Sequence, residues 1–195
     1  MAKEERILSV LIVAFSLSLL GLFIGVFQPS ITGAAVESTT SQVVISSYVA
    51  LSKSTNLTGG IDFGTISTLP VRGVNATGNY NFSNNKTVYY VSISPDSNSA
   101  VDFCIKADAF NTSGGAEIGL GNYTWSDFAA NNITHPEPYP TITGMSTNYI
   151  TGSLAVAVGS DNAYRFFLNV TAAQPPGTYN NTVNIQGVPT GDSCT

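Results

Sequence analysis

An all-β domain of two packed sheets, carried behind one N-terminal apolar helix, is what the sequence predicts, and three observations predict it. The run Ile7–Phe27 carries no charge. Beyond it, apolar residues recur with period two, and no segment sustains a 3.6-residue period over three turns. Gly, Pro, Asn and Ser gather between the alternating stretches, where turns require them.

As a helix, the run from Ile7 to Phe27 would be about 31 Å long at 1.5 Å per residue, which matches the hydrocarbon core of a bilayer. A secretory signal has a shorter apolar core, about 7 to 15 residues, followed by small residues at a cleavage point. Gly33-Ala34-Ala35 supplies such residues. The run therefore reads as a transmembrane or signal-anchor helix, with secretion after cleavage near Ala35 as the alternative. Lys3 and Arg6 precede it and the next basic residue is Lys53. That asymmetry leaves the N-terminus in the cytoplasm and sends the remainder outside. Residues 1–28 are then a cytoplasmic stub and helix, 29–41 a linker and 42–195 an extracellular domain.

The domain is long enough for one real core and too short for two. Its alternating sets are Val43, Ile45, Val49 and Leu51; then Ile61, Phe63 and Thr65; then Tyr89, Val91 and Ile93. Val101, Phe103, Ile105 and Ala107 follow, then Leu154, Val156 and Val158. In the last pair Tyr164, Phe166, Leu168 and Val170 point inward while Arg165 and Asn169 face water, and Val183 and Ile185 resume the rhythm after a Pro-Pro-Gly turn. Seven or so short strands fit a two-sheet sandwich with solvated outer faces. A barrel is the alternative, but the long stretches Asn111–Gly121 and Asn131–Gly144 suit the ends of a sandwich better. The prolines of His135–Pro140 lack ladder donors, so that segment is an extended loop. Pro176 presets a turn, Gly177 accepts positive φ, and Tyr179 tucks its ring under the sheet while its hydroxyl reaches a backbone group.

The segment Asn162–Val188, NAYRFFLNVTAAQPPGTYNNTVNIQGV, resembles the closing hairpin of Ig-like and pilin-like surface β-sandwich modules. With the N-terminal apolar run, the small-residue stretch and Gly60–Gly64, GIDFG, the chain is similar to membrane-anchored archaeal cell-surface proteins of unassigned function. The resemblance implies an Ig-like sandwich held at the outer face of a membrane.

Charged residues are 10% of the chain, against about 25% in ordinary soluble proteins, and the net charge is −5. Hydroxyls, amides and sugars must wet its surface instead. Nucleic acid is excluded as a partner, because phosphate demands clustered Lys and Arg. Nine Asn-x-Ser/Thr sequons are present: Asn56, Asn75, Asn81, Asn85, Asn111, Asn122, Asn132, Asn169 and Asn180. The chain's 17 Asn and 43 Ser plus Thr would place about 4 by chance. Asn-rich and Thr-rich loops producing sequons by accident is the plain alternative, but only an exported chain meets the oligosaccharide machinery, so export favours N-glycosylation at a cell surface.

Cys104 and Cys194 are the only cysteines. Alternation places Cys104 on the outer face of its strand, and an exported compartment lets the two pair. Neither has a second Cys or a His at zinc spacing. The single His135 sits in the Pro-rich loop without a nucleophile motif beside it. The carboxylates Asp62, Asp96, Asp102, Asp108, Glu117, Asp127, Glu137, Asp161 and Asp192 are dispersed singly. Asp96, Asn98 and Asp102 offer oxygens to calcium but lack a calcium-loop spacing. Trp125 reads as a core residue first and as a sugar-stacking platform second. The expectation is a non-catalytic, N-glycosylated structural or adhesive surface protein, with no cofactor and no metal. Its partners are the membrane, through Ile7–Phe27, and surface proteins or further copies of itself. The alternatives are a filament subunit, in which Val36–Leu51 adds as a strand to a neighbouring sheet, and a carbohydrate-binding module.

Overall fold

A computed structural model describes residues 42–80, 86–130 and 142–195. The apolar run, the cleavage region, the linker and the His135–Pro140 loop lie outside the described residues, as do Asn81, Asn85 and Asn132. No helix among the described residues is long and apolar enough to cross a membrane. Ile45–Thr195 forms one compact unit, separate from Met1–Val44.

Within that unit the described chain is mostly β and antiparallel throughout. Its elements are β1 (Leu51–Lys53), α1 (Thr55–Gly59), β2 (Val71–Asn75), β3 (Tyr90–Ile93), β4 (Val101–Ala107), β5 (Phe110–Asn111) and β6 (Glu117–Ile118). They continue with β7 (Tyr123–Ala130), β8 (Thr143–Gly144), β9 (Ile150–Thr151), β10 (Asp161–Val170) and β11 (Val183–Pro189). One sheet runs β1-β3-β10-β7-β8 with β2 also on β10; a second runs β11-β4-β9; and β5 pairs with β6. The stretch after Asn111, expected as a plain loop, thus contains the short β5-β6 hairpin.

β10 organises the larger sheet. Its whole length from Asp161 to Leu168 pairs with β7. On its other side β3 takes Asp161–Ala163 and β2 takes Phe167–Val170. A gap remains opposite Phe166, and the side-chain amide of Asn79 closes it. The Phe166 N–H donates to Asn79 Oδ1 at 2.8 Å, and Asn79 Nδ2 donates to the Phe166 carbonyl at 2.6 Å. Asn79 thus stands where a strand's peptide group would stand, and it is 1% exposed. Gly78 beside it has no side chain because a Cβ there would enter the Tyr89 ring.

The two main sheets bury their faces against one core. Val101, Phe103, Ile105 and Ala107 of β4 oppose Tyr164, Phe166, Leu168 and Val170 of β10, all buried. Edge-to-face aromatic contacts tie the layers together: Phe103 meets Tyr164 at 6.4 Å, Tyr123 meets Phe110 at 5.0 Å, and Phe63 meets both Phe110 and Tyr123 near 6 Å. Such pairs add about 0.5–1.5 kcal/mol each beyond the area they bury.

Several expectations need correction. Arg165 does not face water. It is 1% exposed, its Nε and Nη2 donate to Thr87 Oγ1, and its guanidinium lies over the Phe128 ring at 5.3 Å. A central strand such as β10 is covered on both faces, so alternation alone misassigns its second face. Leu154 is 62% exposed and Val158 is exposed too, while Val156 between them is buried. Ala155, at φ 50°, breaks the strand geometry there and spoils the alternation. Ile61 and Phe63 pack against the core from irregular backbone rather than from a strand.

Segment Asn162–Val188 is not a hairpin, because β10 and β11 belong to different sheets. The connection is an arch across the core. Pro175 and Pro176 deny it ladder donors, and Tyr179 pins it, packing against the core and donating its hydroxyl to the Pro175 carbonyl at 2.7 Å. That hydroxyl role is the one the turn chemistry predicts.

The first alternating set divides. Val49 packs against the core, and Leu51 reaches the backbone of Gly187. Val43 and Ile45 are 82% and 79% exposed. β1 pairs with β3 rather than with the nearby Ile61 segment.

Candidate functional site

The surface carries the features with chemical meaning, so each sequon can be followed from its element outward. Asn56 lies on α1, a single turn started by Ser54, whose hydroxyl accepts from the Leu57 N–H at 3.2 Å, and anchored by buried Leu57. This leaves Asn56 exposed. Asn75 ends β2 exposed, its Oδ1 accepting from Asn79 Nδ2 at 3.3 Å. Asn169 on β10 is half-buried, and its Oδ1 accepts from the Gly73 N–H at 2.8 Å. In both, the carboxamide is oriented through its oxygen, which leaves the nitrogen, the atom that takes a sugar, turned away from that bond. Asn122 is half-buried in the short 3₁₀ turn before β7.

Asn111 and Asn180 are both exposed and face each other directly. Each N–H donates to the other's carbonyl, at 2.9 and 3.0 Å. Two sequons thus occupy one hydrogen-bonded antiparallel pair, whose Cα atoms lie about 5.5 Å apart in ordinary geometry. All six described sequon asparagines are exposed or half-buried. The two buried asparagines among the described residues, Asn79 and Asn162, belong to no sequon.

On the outer face of the smaller sheet the chain closes on itself. Cys104 and Cys194 form a disulfide with Cα atoms 6.3 Å apart across a sequence separation of 90. Cys104 stands on the face of β4 opposite the core, as alternation predicts, and the tail makes it buried. Asp102, two residues earlier on the same face, accepts from the Ala155 N–H at 2.7 Å and the Gly191 N–H at 3.0 Å. Burial alone would raise its pKa, but these amides and the Thr190 hydroxyl outweigh that and hold it below the ordinary aspartate value. A depressed folded pKa gives stability that is present above the unfolded pKa and lost as pH falls through the folded one. Asp102→Asn should therefore destabilise the domain at neutral pH, with the gap to the parent closing below about pH 4. Urea midpoints of the two proteins across that range check it; a gap that persists unchanged in acid would contradict it.

Three other aspartates, Asp127, Asp161 and Asp62, hold neighbouring groups through their carboxylates. Asp127 Oδ2 accepts from the Ser153 N–H at 2.7 Å and Asn162 Nδ2 at 2.9 Å, tying β7 to the segment after β9. Asp161 accepts from the Ser92 hydroxyl, and Asp62 accepts from the Gly64 N–H. Asn98, the middle member of the calcium triplet, spends its carboxamide on the Tyr48 N–H and the Ser46 carbonyl. Asp102 is likewise engaged, by the Ala155 and Gly191 amides. No group of three or more His, Cys, Asp or Glu that could hold a metal occurs among the described residues. Trp125 is buried at the core, so its ring offers no face to a sugar. His135 and Glu137 lie outside the described residues.

A groove of about 1700 Å³ opens along one flank, where the two sheets end in β1 and β11. Leu51, Ile61, Phe63, Ile66, Val183 and Ile185 line it. No family model matches the chain, and neither the curated proteins nor the solved structures contain a match to it.

Sequence reasoning missed Asn79 and the Arg165–Thr87 contact. An asparagine without a sequon directly after a glycine was the one available signal for the first. The second had none, since the burial of a strand's outer face depends on what folds over it.

Proposed function

We propose that this chain is a non-catalytic, N-glycosylated cell-surface protein with a structural or adhesive role. Its Ig-like sandwich is held outside the membrane by the N-terminal helix, as in the archaeal surface proteins it resembles. The observation that carries the reading is the segregation of its asparagines. Every described sequon asparagine reaches solvent, while the described asparagines that are buried, Asn79 and Asn162, lie outside sequons. Sugar at Asn111 and Asn180 would cover the edge where β5 meets the arch, and Asn180 also lines the groove, so sugar there would stand at the groove's rim. In a chain with only 10% charged residues, such groups would supply much of the surface's hydration.

The disulfide supports the same compartment, because cytosolic thiols are kept reduced. Asp62, Asp102 and Asp127 spend their carboxylates on backbone or side-chain amides and Asp161 on the Ser92 hydroxyl, which supports the non-catalytic reading. A membrane-impermeant amine reagent applied to intact host cells tests the placement. Lys53 is exposed on β1 and should be labelled on whole cells. Labelling only after lysis would overturn the outward orientation.

A further inference from the structure

We infer that the groove between β1 and β11 receives the apolar segment Val43-Val44-Ile45 of a second copy, so that copies at the surface associate by strand addition. The inference rests on the surface reading for where the copies meet, and on four observations within the fold for how.

Among the described residues β11 is an edge strand, paired only with β4. Flanking bonds fix which of its groups are spent: the Asp108 N–H donates to the Thr182 carbonyl, and the Thr190 N–H donates to the Ala100 carbonyl. Even-numbered residues therefore turn their backbone groups to β4. In an antiparallel ladder the intervening residues, Val183, Ile185 and Gly187, turn theirs to the open side. A seven-residue edge with an apolar inner face is a template for another strand. Pro189 blocks only its far end.

The groove beside that edge offers apolar side chains at Val183, Ile185, Ile61 and Phe63, set among polar ones that include Asn180, Asn184 and Gln186. The chain also has a matching piece to offer. Val43, Val44 and Ile45 are consecutive β-branched residues, 79–82% exposed, outside any described strand. β-branched residues suit the pleated geometry of an added strand.

The groove cannot be filled from the same chain by Ile45. Tyr48 is held beside Asn98, its N–H donating to Asn98 Oδ1 at 2.6 Å and its carbonyl accepting from the Asn98 N–H at 3.1 Å. Asn98 lies beyond the Pro189 end of β11, because Pro189 pairs with Val101. From Pro189 to Val183 is about 20 Å along the strand. Three residues, Tyr48 back to Ile45, span about 10 Å at most, from a start already beyond the wrong end. Leu51 meanwhile packs at Gly187 and closes the near end of the groove. A second molecule's segment meets no such limit.

Two variants of the full chain in detergent separate donor from acceptor. Ile45→Asp charges a solvent-exposed donor side chain. Ile185→Pro removes one outward N–H of the acceptor, a substitution that edge strands tolerate. In light scattering over a concentration series the parent should grow beyond a monomer. Either variant alone should associate at least about tenfold more weakly. An equal mixture of the two should recover dimers and nothing larger, since only one donor and one acceptor remain intact.

A monomeric parent at every concentration would overturn the inference, and so would Ile45→Asp associating like the parent. The second outcome decides the matter even if Ile185→Pro fails to fold. A monomeric chain still labelled on intact cells would sink strand addition alone and leave the surface reading in place.

Discussion

Replacing Asn79 with alanine should cost the domain about 2–4 kcal/mol, more than a typical substitution, although Asn79 belongs to no strand. The loss follows from the gap it fills. The Phe166 carbonyl still accepts from the Ala76 N–H at 3.1 Å, but the Phe166 N–H is left buried without a partner in the middle of the central strand. A buried amide stripped of its acceptor carries its full desolvation penalty, about 1–3 kcal/mol, and the cavity left by the amide adds to it. Asn79→Asp sharpens the test. It keeps an acceptor for the Phe166 N–H but sets an oxygen against the Phe166 carbonyl, where Nδ2 now donates at 2.6 Å. Both variants should lower the urea midpoint. A change within about 0.5 kcal/mol, the range of ordinary surface substitutions, would show that the amide does not bridge the sheet.

Changing Cys104 and Cys194 together to serine should cost about 3–5 kcal/mol and lower the melting temperature by roughly 10 °C while the far-ultraviolet spectrum is retained. The bond closes a loop across a separation of 90 residues, for which chain entropy alone gives about 4–5 kcal/mol. Its loss also frees the tail that brings the Gly191 amide to Asp102, so the acid-dependent part of the stability should shrink in the same variant. In the parent neither thiol should react with maleimide without reductant. An unchanged melting temperature would mean that the tail contributes nothing to the folded state.

Much of this fold was legible in the sequence because its strands bury one face and leave a period-two trace. Val101 to Ala107 and Tyr164 to Val170 declare the two inner faces without ambiguity. Alternation on the first of these also put Cys104 outside, where the tail meets it. The same rule failed at Arg165, because burial of the second face is decided by Thr87, a residue 78 positions away. It failed again at Leu154 and Val158, where the positive φ of Ala155 redirects the chain and only Val156 stays inside. Turn chemistry read the Tyr179 hydroxyl correctly but could not tell a hairpin from an arch, since Pro, Gly and Tyr serve both. The sequons were legible as a motif. The exposure or half-burial of the six described ones was not, because it depends on which of several asparagines the packing selects for the interior.

The most direct test of the surface-glycoprotein account is glycopeptide mass spectrometry of the protein taken from its own host's membranes. The account predicts sugar on the exposed sequons, Asn56, Asn111 and Asn180 foremost, with Asn79 and Asn162 unmodified. Unmodified asparagine at every one of the nine sequons in the native protein would contradict it.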